Sequence, residues 1–230
     1  VQLAQSATLT MEAGTIVGGV GYNLDLFGTL DVNGTATDRV EITDLKIRGG
    51  LNSTQFVLDM SYAHMTGGSL YSGTAPYTGV IYLSDSVLVD LDSYMYLWYP
   101  SGDCYFERNV FIGFQGISAG TQGHHVYVTN NVFYDQQGPY AIKDWAAYNG
   151  GDTIAQYNSF LDTSQTAVIL PPGYSSSALV ATDNYWGTTD VATIESMIYD
   201  QNDDLSCAGY IDYSGYLSAA HPDTPDHVPW

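Results

Sequence analysis

Five cations stand against 25 carboxylates in this 230-residue chain, so each cation is a candidate for chemistry. β-Elimination of a uronate sugar needs a cation or metal to neutralise the sugar carboxylate and a base to take the adjacent proton. Arg108 sits beside Glu107, Lys143 follows one repeat later, and Asp59, Glu107 and Asp183 occupy related places in the sequence. These acids are scattered rather than gathered. Arg108 therefore reads first as an ion-pair partner of neighbouring carboxylates, and Lys143 with Asp144 as a surface ion pair. Glycoside hydrolysis would need two carboxylates flanking one bond, and no compact pair stands out. His124 and His125 could each ligate a metal, but neighbours on a strand point to opposite faces, which argues against a shared ion. Asp200, Asn202 and Asp204 copy the alternating oxygens of a calcium loop. Leu205 stands where the turn glycine should be, and no glutamate closes the loop.

The stronger signal is aromatic. Tyr94, Tyr96, Trp98 and Tyr99 lie within six residues of one another, and Trp145 and Tyr148 follow in what reads as a later loop. Rigid rings of this kind suit sugar faces or a protein partner.

Those residues need a scaffold, and the sequence supplies one by repetition. Residues 56–61, 80–85, 104–109, 126–131, 153–158 and 179–184 align at steps of 22 to 27 residues. Each ends on a short polar side chain: Ser61, Asp85, Asn109, Asn131, Asn158 or Asn184. Two residues later comes Ala63, Val87, Phe111, Phe133, Phe160 or Trp186. The period is too short for paired-helix repeats and matches one turn of a solenoid of short strands; an antiparallel sandwich with regular turns is the competing reading. Alternation within each segment turns the fifth and third residues before the polar one inward. The fourth (Val57, Ile81, Tyr105, Tyr127, Ile154, Val180) then points out, as a stripe about 24 Å long at about 4.8 Å per rung. Loops after Gly67 and Gly138 are the segments placed to cover it. The polar residue is expected to bend the chain, since Asn and Asp tolerate left-handed geometry, and its side chain to bond from rung to rung.

On these residues the chain resembles the right-handed parallel β-helix repeat family, the pectate-lyase-like fold, in its secreted surface-protein branch. Leu9 to Thr15, Leu26 to Thr35 and Val40 to Thr43 look like first coils of that group, and Asp183 to Asp190 with Tyr210 to Tyr213 look like its terminal coil and cap. The resemblance implies an all-β, right-handed parallel β-helix solenoid of about eight to nine coils. It would fill residues 1–218 as a single domain, most legibly over 56–186, with a short C-terminal capping helix within about 188–204 and an extended tail over 219–230. Thr189 or Asp190 would cap that helix, with Val191, Ile194, Met197 and Ile198 on one face. In lyases of this fold, calcium carboxylates cluster on one sheet beside a basic residue, and that cluster is missing here. The fold specifies activity poorly, because it serves enzymes, adhesins and plain surface proteins alike.

Composition narrows the partners. A net charge of -20 excludes counterion-driven binding to nucleic acid or to anionic membrane surfaces, and no apolar run is long enough for membrane insertion. Val1 opens directly into a strand-like run with no basic and apolar leader, so the chain reads as a soluble mature protein or a piece excised from a longer one. Cys104 and Cys207 are too few for a disulfide framework. Asn33 and Asn52 begin glycosylation triplets, a weak pointer to secretion. The expected function is a non-catalytic extracellular or cell-surface protein, adhesive or matrix-forming, that presents Tyr-rich faces to polysaccharide or to neighbouring copies. The only cofactor this reading admits is Ca2+, which the carboxylate-rich exterior and the Asp200 to Asp204 run could take. The competing expectation is a calcium-dependent polysaccharide lyase with Arg108 or Lys143 as base.

Overall fold

The computed structural model describes residues 1–50, 56–70 and 79–226. The fold is an all-β parallel solenoid of about seven turns with one short helix near its C-terminal end. Three faces run the length of the coil. One is an eight-stranded sheet, the second a seven-stranded sheet, and the third is divided between a four-stranded sheet at the N-terminal end and a five-stranded sheet at the other. Eight strands on the longest face make about seven turns rather than eight to nine. One reason is that residues beyond Tyr199 go into turns and a returning tail instead of another coil.

In the aligned segments the bend between the eight- and seven-stranded sheets is made by a different residue from the one the sequence suggests, except at Asp85, where the two agree. Left-handed backbone falls on Tyr62, Asp85, Arg108, Asn130, Tyr157 and Asp183, with φ between 49° and 58°. In the last four coils that residue immediately precedes the ladder asparagine. The asparagines instead serve as hydrogen-bonding posts. Asn109, Asn131, Asn158 and Asn184 are fully buried, and the Nδ2 of each of the first three donates 3.0 Å to the Oδ1 of the next. The same Oδ1 atoms accept the backbone N–H groups of Asn109, Asn131 and Asn158 at 2.8–2.9 Å. At these four bends the asparagine side chains are thus paired, which burial requires.

At its N-terminal end the ladder continues through Ser86, not Asp85. Ser86 N–H donates to Asn109 Oδ1 at 3.1 Å, and Ser86 Oγ accepts from Ala63 N–H at 3.0 Å. Asp85 lies one residue earlier, on the outside. Strand register gives the cause: Tyr82 pairs with Tyr105 and with Asp59, so the second repeat segment is slipped by one residue and the first by two. A slip of one exchanges faces, whereas a slip of two keeps the face.

Inside, Phe111, Phe133, Phe160 and Trp186 stack from rung to rung at 5.0–5.2 Å, preceded in the same register by Leu88 and Met65. The helix Val191–Ser196 is capped by Asp190, whose Oδ2 accepts the N–H of Thr193 at 2.9 Å. It buries Ile194 and is followed by buried Met197 and Ile198, while Val191 stays exposed. The tail does not run free. Thr224 Oγ1 donates to Tyr157 O at 2.8 Å, and Asn130 Nδ2 donates to His221 Nδ1 at 3.0 Å. Its residues Ala219 to Pro225 flank Val132, the last of a buried outer row with Val87 and Val110. Cys104 and Cys207 are separate buried thiols.

Candidate functional site

The outer face of the eight-stranded sheet carries the first aromatic feature. In true register its central column reads Thr10, Asp31, Asp59, Tyr82, Tyr105, Tyr127, Ile154 and Val180. Ile81, expected in this column, is fully buried in the core; Tyr82 takes the outward place and is 40 % exposed. Val57 remains outward, in the adjacent column. Tyr82 and Tyr105 stack with centroids 5.8 Å apart and planes 16° apart, and Tyr105 and Tyr127 at 4.9 Å and 13°. Such close, nearly parallel rings are offset stacks, each partly covering its neighbour's face. The surface they offer is a row of ring edges and hydroxyls.

Carboxylates surround this ladder. Asp103 accepts His125 N–H at 2.8 Å, and His125 Nδ1 contacts Asp152. His124 faces Asp103 at 3.6 Å, so the two imidazoles take separate acids rather than one shared ion. Burial raises the hydroxyls of Tyr105 and Tyr127 above the ordinary tyrosine range, and Asp103 adds to both shifts. Asp59 is likewise raised, by burial first and by the like charge of Asp31 second.

The second feature lies on the five-stranded sheet. Tyr96 and Trp98 come from the strand Met95–Trp98, and Trp145 and Tyr148 from the strand Ile142–Tyr148, which is no loop. Tyr94 and Tyr99 flank the first strand, and Tyr174 joins from a later turn. Between these strands runs Ile117–Gln122, whose outward positions Ser118 and Gly120 carry almost no side chain. Tyr96 and Trp145 therefore meet across it, stacked at 5.8 Å and 16°. A Cβ at Gly120 would lie 2.3 Å from Trp145 Cζ2. A register shift between Ala119 and Gly120 leaves Trp145 unpaired in the ladder and aims it over that gap. Trp98 packs edge-on against both Tyr96 and Trp145, at 6.1 and 5.9 Å, and Tyr99 bridges Trp145 to Tyr148 at 5.5 and 6.0 Å. Tyr94, Tyr148 and Tyr174 are each about half exposed, at 46–48 %. Seven rings thus form one interlocked platform.

The candidate bases are not poised for proton abstraction. Arg108 makes a two-pronged bond to Asp85, Nε to Oδ1 and Nη2 to Oδ2 at 2.8 Å each, and reaches Glu107 at 3.4 Å. These carboxylates hold it protonated above its ordinary range. The Arg108 expectation of an ion-pair role holds; that for Lys143 and Asp144 does not. Lys143 lies 5.0 Å over the Tyr140 ring, while Asp144, its strand neighbour, points inward and is fully buried. There Asp144 accepts Thr153 Oγ1 at 2.7 Å and Ala178 N–H at 3.2 Å. Burial pushes this carboxyl up to about 8 against those bonds.

The Asp200 to Asp204 run is folded onto itself. Asp200 is buried and accepts the N–H groups of Asn202 and Ile211 at 2.7 and 2.8 Å. Asp204 accepts Ser206 N–H and Oγ at 2.9 and 2.7 Å. Asp200, Asn202 and Asp203 line an acidic cleft with Glu195 and Tyr213, and Asp204 is not among its walls. Among the described residues no three His, Cys, Asp or Glu side chains are placed to hold one metal ion.

The chain matches no protein family, no curated protein and no solved structure. The site is therefore read from its own geometry. Sequence reasoning missed Tyr174 and placed Asp144 at the surface, where the structure buries it. Neither had a local signal, since one joins the platform from a turn and the other differs from outward acids only in strand phase.

Proposed function

We propose that this chain is a non-catalytic extracellular β-helix, an adhesive or matrix component of a cell surface that holds carbohydrate on its aromatic faces. The observation that carries the reading is the platform of Tyr94, Tyr96, Trp98, Tyr99, Trp145, Tyr148 and Tyr174. Its rings meet at steep angles, so some faces stay turned outward, and pyranose rings pack on such faces through their apolar C–H sides. No carboxylate takes part in these ring contacts, which suits neutral glycans. A binding-only role is supported by Arg108, which its two acids hold as a fixed cation at a bend, and by Lys143, which lies on the separate five-stranded sheet. The net charge of -20 also disfavours capture of a polyuronate.

Titration with soluble oligomers of neutral β-linked glycans, read by tryptophan fluorescence, tests the proposal. Quenching is expected in the native protein and at least a tenfold weaker affinity in Trp98→Ala. Appearance of unsaturated product absorbance from polygalacturonate with calcium overturns the binding-only reading in favour of a lyase.

A further inference from the structure

The outer face of the seven-stranded sheet belongs to neither aromatic surface, and the C-terminal tail lies across its far end. Val132 and Ser159 pair there on successive rungs, and Tyr185 bridges Ser159 from the next coil. Phe160 turns inward to the core stack, so strand alternation turns Ser159 outward beside Val132. The tail is tied down at both ends of this stretch. Leu217 N–H donates to Asn184 O at 2.8 Å, Thr224 and His221 bond to Tyr157 and Asn130, and the His221 ring lies 4.8 Å from that of Tyr157. Sheet and tail do not meet flush. Between them runs a groove of about 330 Å³, floored by Val132, Ser159 and Leu161 and walled by Ala220 and Pro225. Ser159 is 2 % exposed, and its Oγ has no hydrogen-bond partner among the described residues. Thr224, the other hydroxyl of the groove, is engaged: its Oγ1 donates to Tyr157 O and accepts from Asn130 Nδ2 at 3.4 Å. A buried hydroxyl left this way is costly, and a molecule that fills the groove and bonds to it relieves the cost.

We infer that this groove is a second binding site, for a compact neutral molecule of about two fused rings that is apolar except for one hydroxyl hydrogen-bonded to Ser159 Oγ. Its size, lining and charge select that class. The volume stands at the lower end of the range for small-molecule sites, about 300–1,000 Å³. The floor and walls are otherwise mostly apolar, so a sugar would leave most of its hydroxyls unpaired against them. Asp226 stands exposed on the rim, and together with the net charge of -20 it repels anionic head groups. The buried polar group is a neutral hydroxyl, which offers a cation no counter-charge inside the groove. The site is separate from the platform and stands or falls independently of it.

The test is equilibrium dialysis of the full chain at neutral pH against 2-naphthol, with naphthalene, 2-naphthoate and 2-naphthylmethylamine as comparisons. Naphthol is expected to bind about fivefold more tightly than naphthalene, the worth of one net hydrogen bond, and at least tenfold more tightly than either charged compound. Ser159→Ala should weaken naphthol about fivefold and leave naphthalene unchanged. Ala220→Trp, which fills the groove from an exposed position, should weaken both at least tenfold, and Trp98→Ala on the platform should weaken neither. Absence of saturable naphthol binding overturns the proposal. Binding of naphthoate or the amine as tightly as naphthol overturns the neutral class, and equal loss of naphthol and naphthalene, or of neither, in Ser159→Ala overturns the hydrogen bond. Indifference to Ala220→Trp overturns the location, and tighter naphthol binding in Trp230→Ala overturns the free ligand in favour of the chain's own end.

Discussion

Two aromatic surfaces on one solenoid are built by opposite means. The ladder of Tyr82, Tyr105 and Tyr127 is a product of repetition: one tyrosine per rung, in strict register, stacks because the rungs stack. The platform depends on an interruption. Its middle strand gives up side chains at Ser118 and Gly120 and breaks register at Ala119, and only then can Tyr96 and Trp145 meet across it. Beneath the ladder the core is uniformly apolar, with Cys104, Phe106, Val126 and Val128 fully buried. Beneath the platform lies the carboxyl of Asp144. A repeat tolerates change because each rung has equivalents above and below it, whereas an interruption concentrates dependence on single positions.

The sharpest way to separate the two regions is through that buried acid. The Asp144 carboxyl is raised in the folded state to about 8 from an ordinary 3.8. Between those values the unfolded chain has released its proton and the folded chain keeps it. Its contribution therefore favours folding in acid and is lost as pH rises through that interval, by about 1.4 kcal/mol per pH unit. Asp144→Asn should remove this slope and raise stability at neutral pH by several kcal/mol. Urea unfolding at a series of pH values measures it, and identical slopes in the two proteins would mean that Asp144 is ionised in the fold.

On the ladder side the comparable lesion is Asn131→Ala, which orphans Asn109 N–H and removes the Oδ1 acceptor of Asn109 Nδ2. Buried polar groups left unpaired cost about 1–3 kcal/mol each. A loss near 3 kcal/mol is expected by chemical denaturation, and a loss below 1 kcal/mol would show that water enters the bend. Gly120→Ala comes next, since its methyl must displace the Trp145 ring. About 1–3 kcal/mol should be lost, together with the near-ultraviolet circular dichroism of the tryptophans. Preservation of that spectrum would show that the platform does not need the gap. Smallest is Tyr105→Ala, which breaks two ring stacks on a half-exposed face. About 1 kcal/mol is expected, with the platform's spectrum untouched. A spectral change there would mean that the two faces are coupled through the core.

The same division runs through what could be read in advance. Repetition was legible: the asparagine posts at 109, 131, 158 and 184, the inward phenylalanines and the helix cap at Asp190 all follow from spacing and residue type. Where the repeat carries Ser86 and Ala63 instead of asparagine, the marker disappears and alignment drifts to Asp85 and Ser61. Ile81 and Tyr82 then exchange faces, because a strand's two-residue period turns a single slip into an inversion. Outside Asp85, the left-handed residue was misplaced for a related reason. Asn and Asp favour that geometry on their own, but here the ladder bonds hold the asparagines, and Arg108 and Tyr157 accept the strained position beside them.

What the sequence by itself determined is the parallel coil, since a pattern repeated about every 25 residues has few ways to bury its apolar column other than by stacking on itself. What only the tertiary structure decided is which side chains share a face and what surrounds them. Tyr174 beside Trp145, and Asp31 and Asp59 beside Tyr82, are separated in the chain by about 20 residues or more, while Asp144 adjoins Trp145 and is turned beneath the platform by strand phase. Their proximity is set by strand register, bulge and loop path, each fixed by packing over several coils at once rather than by any local residue preference.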